Sequence, residues 1–141
     1  MSTEVIVYVL TALAAVVVVL TRLRLRQETG GAGRFRVGER LVDVHTTAGV
    51  LALVTWLLVL VADPSSPMGS AAVGIVAIAF WWVVVVAGLL ILVRWLPSHG
   101  RHASEAAEDT WSEGPGLSIL AHVGMFVGVC VFTWAYLTSA V

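Results

Sequence analysis

Four long apolar blocks divide this chain, each near the roughly 20 residues a helix needs to cross about 30 Å of hydrocarbon. They cover about residues 4–21, 42–62, 71–95 and 117–138, and leave only a loop at 22–41, a turn after Ala62 and a loop at 96–116. With 59% apolar and 12% charged residues, the sequence cannot make a water-soluble globule, and no remaining stretch could fold as a separate soluble module. Valine runs such as Val16–Val19 and Val83–Val86 favour strands in water. Lipid, however, offers an open strand no hydrogen-bond partners, and four strands are too few even for the smallest membrane barrel. The expected fold is therefore all-α: one integral membrane domain over 1–141, a four-helix transmembrane bundle running up-down-up-down.

Charge sets the expected orientation. All eight basic residues are arginine: Arg22, Arg24, Arg26, Arg34, Arg36 and Arg40 in the loop 22–41, and Arg94 and Arg101 beside or within the loop 96–116. Arginine marks the cytoplasmic side, while the acids Glu105, Glu108, Asp109 and Glu113 count for little. Both loops are thus expected in the cytoplasm, with the turn at Asp63–Pro67 and both termini on the other side. The first block has its basic flank after the apolar run, the reverse of a secretory signal, so it reads as a retained helix. The use of arginine without lysine, with abundant Ala, Val and Gly, points to a GC-rich, actinobacterial genome and so to a multi-pass protein of the bacterial plasma membrane. Beside a membrane the arginine cluster attracts anionic lipid, at roughly 1 kcal/mol per residue, and is not expected to bind nucleic acid.

Chemistry-bearing residues are few. His45 lies just inside the start of the second block and His122 just inside the start of the fourth. These two helices run in the same direction in the expected bundle, so both imidazoles fall at one depth, near the cytoplasmic end. Diagonal helices both face the core, and two histidines across a core are what axial ligation of a b-type haem requires. At about 100° per residue, Gly49, Ala52 and Trp56 share the His45 face, giving a flat ring room. Arg40, Arg94 and Arg101 fall at a depth suited to haem propionates. In the two histidines and Gly49 the arrangement is similar to the haem-bearing helix pairs of membrane b-type cytochromes and to quinone-reactive membrane anchors. That similarity implies haem b or a quinone as cofactor, with His45, His122 and Gly49 as its binding residues. The alternative is that both histidines sit at headgroup level and hydrogen-bond to each other, to Thr46 or to water.

Other features carry less. His99, His102 and Glu105 have a spacing that can share a metal on a helix, but no second cluster completes a site and solvated loop histidines are expected. Glu4, Tyr8 and Thr11 share a face of the first block, with Glu4 solvated near the outer surface. Cys130 is the single cysteine, which excludes an internal disulfide, and is expected to be buried and inert. The third block carries Gly74, Trp81, Val85, Gly88 and Leu92 on one side, a packing stripe. On the fourth block Ala121, Gly124, Gly128 and Ala135 form a small-residue stripe with a Gly-x-x-x-Gly pattern, about 140° from His122. If His122 points inward that stripe points outward, toward a partner helix. No phosphate loop, activated nucleophile, paired carboxylates or intramembrane charge chain is present, so an enzyme or autonomous transporter is not expected. The leading functional expectation is an accessory or scaffold subunit of a larger bacterial membrane complex, respiratory in type, joined to other integral membrane subunits through the fourth helix. The second is a small b-type haem or quinone-site protein using His45 and His122.

Overall fold

The computed structural model describes residues 1–27, 39–95 and 115–141, and at 20–27, 39, 94, 95 and 115–118 their backbone alone. Four helices make up its secondary structure: α1 (Thr3–Gln27), α2 (Glu39–Val61), α3 (Ala71–Trp95) and α4 (Pro115–Leu137). Three contain stretches long and apolar enough to cross a membrane, Arg40–Val61, Ala71–Val93 and Ile119–Leu137. The apolar part of α1, Thr3–Val19, is shorter. The bundle's outer surface is itself apolar, with Leu13, Ile75, Val93, Leu120 and Val127 exposed. In a chain of this composition such a surface is solvated by lipid, so this is a membrane protein.

Two helix ends differ from the sequence reading. α1 continues through Arg22, Arg24 and Arg26 to Gln27, so these arginines ride on a helix and not in a loop. Arg, Leu and Gln are all strong helix formers, and nothing in Thr21–Gln27 breaks the pattern. α4 begins at Pro115, whose fixed φ and missing N–H suit the first helical position. Arg34, Arg36 and Arg101 lie outside the described residues, as do His99, His102 and Glu105.

α3 packs along α2 over most of its length and also against α4, while α1 touches α2 and α4. The core is aromatic. Phe132 of α4 lies between Trp56 of α2, stacked at 5.0 Å between ring centroids, and Trp81 of α3, tilted at 5.5 Å. All three rings are fully buried. α1 adds only a narrow inward stripe, Val7, Thr11 and Ala14, at the i, i+4, i+7 spacing of one helix face. Thr11 donates to the Val7 carbonyl at 2.8 Å and accepts the Trp56 indole N–H at 3.1 Å. Thr133 repeats the device between α4 and α3: it donates to Val129 at 2.8 Å and accepts from Trp82 at 3.2 Å.

One end of the bundle is closed by side-chain bonds to helix-terminal carbonyls. Tyr8, near the start of α1, donates to Leu60 near the end of α2, and Tyr136, near the end of α4, donates to Ala71 at the start of α3 at 2.8 Å. The Tyr136 ring lies directly on Gly74, where a Cβ would overlap it. Between α2 and α3 the turn is held by Asp63, whose Oδ1 accepts from the Ser65 hydroxyl at 2.7 Å and the Ser65 N–H at 2.8 Å. Those two donors, the hydroxyl first, hold the Asp63 carboxyl below the ordinary aspartate range. Gly69 returns so close to the Asp63 carbonyl that a side chain would force the turn open.

Two expectations about α4 need correction. Ala135 is fully buried in the core and does not continue an outward stripe. The buried face of α4 is broad: Gly128, Val129, Phe132 and Ala135 are all buried, so it takes in both the Val129 side and part of the small-residue stripe. Cys130 is exposed on the outer surface. Hydropathy cannot tell a lipid-facing position from a buried one when both neighbours are apolar.

These contacts predict a contrast between Gly74 of α3, on which Tyr136 of α4 packs, and Gly124 of α4, which packs on nothing. Gly74→Ala should displace Tyr136 and cost about 1–3 kcal/mol, as overpacking does. Gly124→Ala, where a Cβ would meet nothing within 4 Å, should be neutral or slightly stabilising. Thermal unfolding of both variants in detergent checks it, and equal melting points would contradict the Tyr136 contact.

Candidate functional site

His45 and His122 are brought together. The first stands in the second turn of α2 and the second on α4, two helices that both pack on α3. Their imidazole centroids are 6.2 Å apart with ring planes inclined by 28°. Both are only partly buried, and both line a cavity of about 290 Å³ that draws wall residues from all four helices, Val17 of α1 and Val84 of α3 among them.

The orientation of His45 is fixed by a backbone group. Its Nδ1 lies 3.1 Å from the carbonyl oxygen of Val84. A carbonyl only accepts, so Nδ1 carries the proton and Nε2 holds a lone pair. Thr46 takes no part in this, since its hydroxyl donates to Val42 at 2.6 Å. One turn after Val84 on α3 stands Gly88, buried where the two imidazoles converge. A Cβ at Gly88 would lie 2.8 Å from His122 Cδ2, 3.1 Å from His45 Cε1 and 3.4 Å from His122 Nε2. No side chain fits there without displacing an imidazole.

Gly88 is the site residue that the sequence reading missed. It was visible only as one member of the α3 packing stripe, although its distance from Arg94 matches the depth of both histidines. Gly49 does line the cavity and is buried, but a Cβ there would meet only Val84, at 3.9 Å, an ordinary contact. The close approach is therefore on α3, not on the His45 helix.

The remaining polar groups are sparse. Trp81 lines the cavity and is fully buried, and its indole N–H has no hydrogen-bond partner among the described residues. Leaving a buried donor unpaired costs roughly 1–3 kcal/mol. Arg40 is exposed at the same end of α2. Among the described residues no group of three or more His, Cys, Asp or Glu side chains is placed to hold a metal ion. On α4, Ala121 and Gly124 are exposed, and Gly128, though buried, has open space where its Cβ would stand. Searches against known protein families, curated proteins and solved structures find no match to this chain.

Proposed function

We propose that this chain is a small membrane redox protein that holds a flat ring cofactor, haem b or a quinone, at His45 and His122. One observation carries the reading. Two imidazoles from helices that are not sequence neighbours meet 6.2 Å apart at the wall of an apolar cavity, both packed on the bare backbone of Gly88. A core that needed histidine only for packing would gain more from leucine or phenylalanine, because a buried ring nitrogen must find a partner. Largely apolar pockets of about 300 Å³ and more, with a few convergent polar groups, are the usual form of cofactor sites.

The bundle around this site crosses the membrane four times, alternately up and down, with its arginine-bearing end in the bacterial cytoplasm. Supporting this are the Tyr8–Leu60 and Tyr136–Ala71 bonds, each joining the start of one helix to the end of another. The one-sided arginines support the orientation. α1 makes the fourth crossing because its backbone stays helical to Gln27, beyond its apolar stretch.

A second reading rests on a different observation. The exposed small face of α4, Ala121 and Gly124, continued by the unfilled space at Gly128, supports docking against a helix of another integral membrane subunit in a larger, respiratory complex. The two readings are compatible, since a cofactor subunit can also be an accessory one.

For the first reading, organic extracts and absorption spectra of protein purified from its native membrane should contain haem or quinone in about molar ratio, lost in His45→Ala and His122→Ala. A wild-type preparation free of both would remove it. Topology is checked with fusions: reporters at Met1, Ser66 and Val141 should be external, those at Gly31 and Ala106 cytoplasmic. A cytoplasmic Val141 would overturn the orientation. For docking, Gly124→Leu should reduce co-purification of partner subunits while Val127→Leu, on another exposed face, does not. Equal recovery in both would count against an α4 interface.

A further inference from the structure

The bare backbone of Gly88 decides which of the two ring cofactors the site can take. A Cβ there would lie 2.8 Å from His122 Cδ2 and 3.1 Å from His45 Cε1, so the main chain of α3 occupies the space between the imidazoles. A macrocycle ligated by both rings would have to lie in that space, and Gly88 is not part of the cavity wall. Haem held by the pair is therefore excluded, and the cavity beside the rings is what a ligand can enter.

Depth narrows the ligand further. The cavity runs along α3 from Trp81 to Ile91, about 15 Å at about 1.5 Å per residue. Trp81 stands near the middle of the apolar stretch Ala71–Val93, and Val84, which fixes His45, lies roughly 13 Å inside the end of that stretch. A phospholipid cannot bring its ester or phosphate oxygens that far without drawing its headgroup into hydrocarbon, where unpaired polar groups are costly. An uncharged ring with one or two small polar substituents meets no such cost. Val17 of α1 and Ala121 of α4, both in the lining, are exposed, so the cavity reaches the lipid-facing surface.

The polar groups of the wall then select the substituent. The Nδ1 proton of His45 is committed to the Val84 carbonyl at 3.1 Å, so what this ring has left to offer is the lone pair of Nε2. Thr46, next to it in the wall, has given its hydroxyl proton to Val42 at 2.6 Å and is likewise left as an acceptor. A quinone carbonyl also has only lone pairs, and two acceptors do not bond. The reduced ring, a quinol, carries two hydroxyls that donate. Trp81 adds the complementary donor: its indole N–H, in the same wall, has no partner among the described residues, and a hydroxyl oxygen accepts as well as donates.

We propose that the cavity binds the reduced, hydroxyl-bearing form of a quinone, a quinol, with one hydroxyl donating to Nε2 of His45. This rests on the reading of the cavity as a ring-cofactor site and names the ligand and its redox form.

The experiment is an anaerobic calorimetric titration of cofactor-free protein in detergent with three probes of one shape: duroquinol, duroquinone and the dimethyl ether of duroquinol. The expected result is one quinol per chain, bound about tenfold or more tighter than the quinone or the ether, neither of which has a proton to donate. His45→Phe keeps a ring in place but removes the acceptor. Its affinity for the quinol should fall to that for the quinone, while its unchanged affinity for the quinone shows that it folds. Gly49→Leu, which puts a side chain into the cavity, should weaken quinol and quinone alike by about tenfold or more, with helix content by circular dichroism unchanged. If the quinone or the ether binds the wild type as tightly as the quinol, or if haemin binds and the quinol does not, the quinol assignment is overturned and the ring-cofactor reading stands. If His45→Phe keeps the preference for quinol, another group accepts the hydroxyl and the role of His45 is overturned. If no probe binds and protein from the native membrane yields neither haem nor quinone, both fall.

Discussion

Inside a lipid-facing bundle there is no water to satisfy a polar group, and almost every polar contact in this protein follows from that. An unpaired group in such a place costs on the order of several kcal/mol, so the backbone closes its bonds within helices and side-chain polar groups must find partners inside the fold. Thr11 and Thr133 do so twice over, giving their protons to the preceding turn and their lone pairs to a tryptophan on another helix. These indole–threonine bonds join α1 to α2 and α3 to α4, where hydrophobic attraction between helices is weak because lipid solvates leucine as well as protein does. His45 obeys the same rule through Val84. Among the described residues the buried indole N–H of Trp81, at the cavity, is the exception.

The helical class and the meeting of the histidines were legible in the sequence because both depend on length and depth alone. Blocks of about 20 apolar residues fix where each helix meets the membrane surface, and residues equally far from that surface come out level. What was not legible depends on rotation about a helix axis. Whether Cys130 faces lipid, whether Ala135 faces the core, and whether Gly88 or Gly49 makes the close approach all turn on a few tens of degrees. A nearly uniform apolar sequence carries almost no signal of that kind, since its neighbours in lipid and in the core are equally apolar. The extension of α1 through Arg22–Gln27 is hidden for another reason: a run of charge marks the end of the hydrocarbon, not the end of the helix.

The cavity itself follows from how large and small residues are distributed along the bundle. Trp56, Trp81 and Phe132 wedge α2, α3 and α4 apart through one half of the fold. At the level of the histidines α2 and α4 present Gly49 and Ala121 on the cavity wall, which cannot fill the gap that the wedge imposes. Rigid rings set the helix spacing and small residues fail to use it, so a space of about 290 Å³ stays open beside the two imidazoles. Interiors normally pack to crystal-like density, and the lining of an unfilled apolar space forgoes its dispersion contacts. A bundle evolved only to pack would close that gap with leucine on any of the four helices. Here the side chains that could close it are missing on α2 and α4, at Gly49 and Ala121, beside the His45 ring that Val84 locks. A ligand bound in that space would meet an imidazole whose orientation is set beforehand and would restore contacts that the protein lacks alone, which would couple occupancy to fold stability.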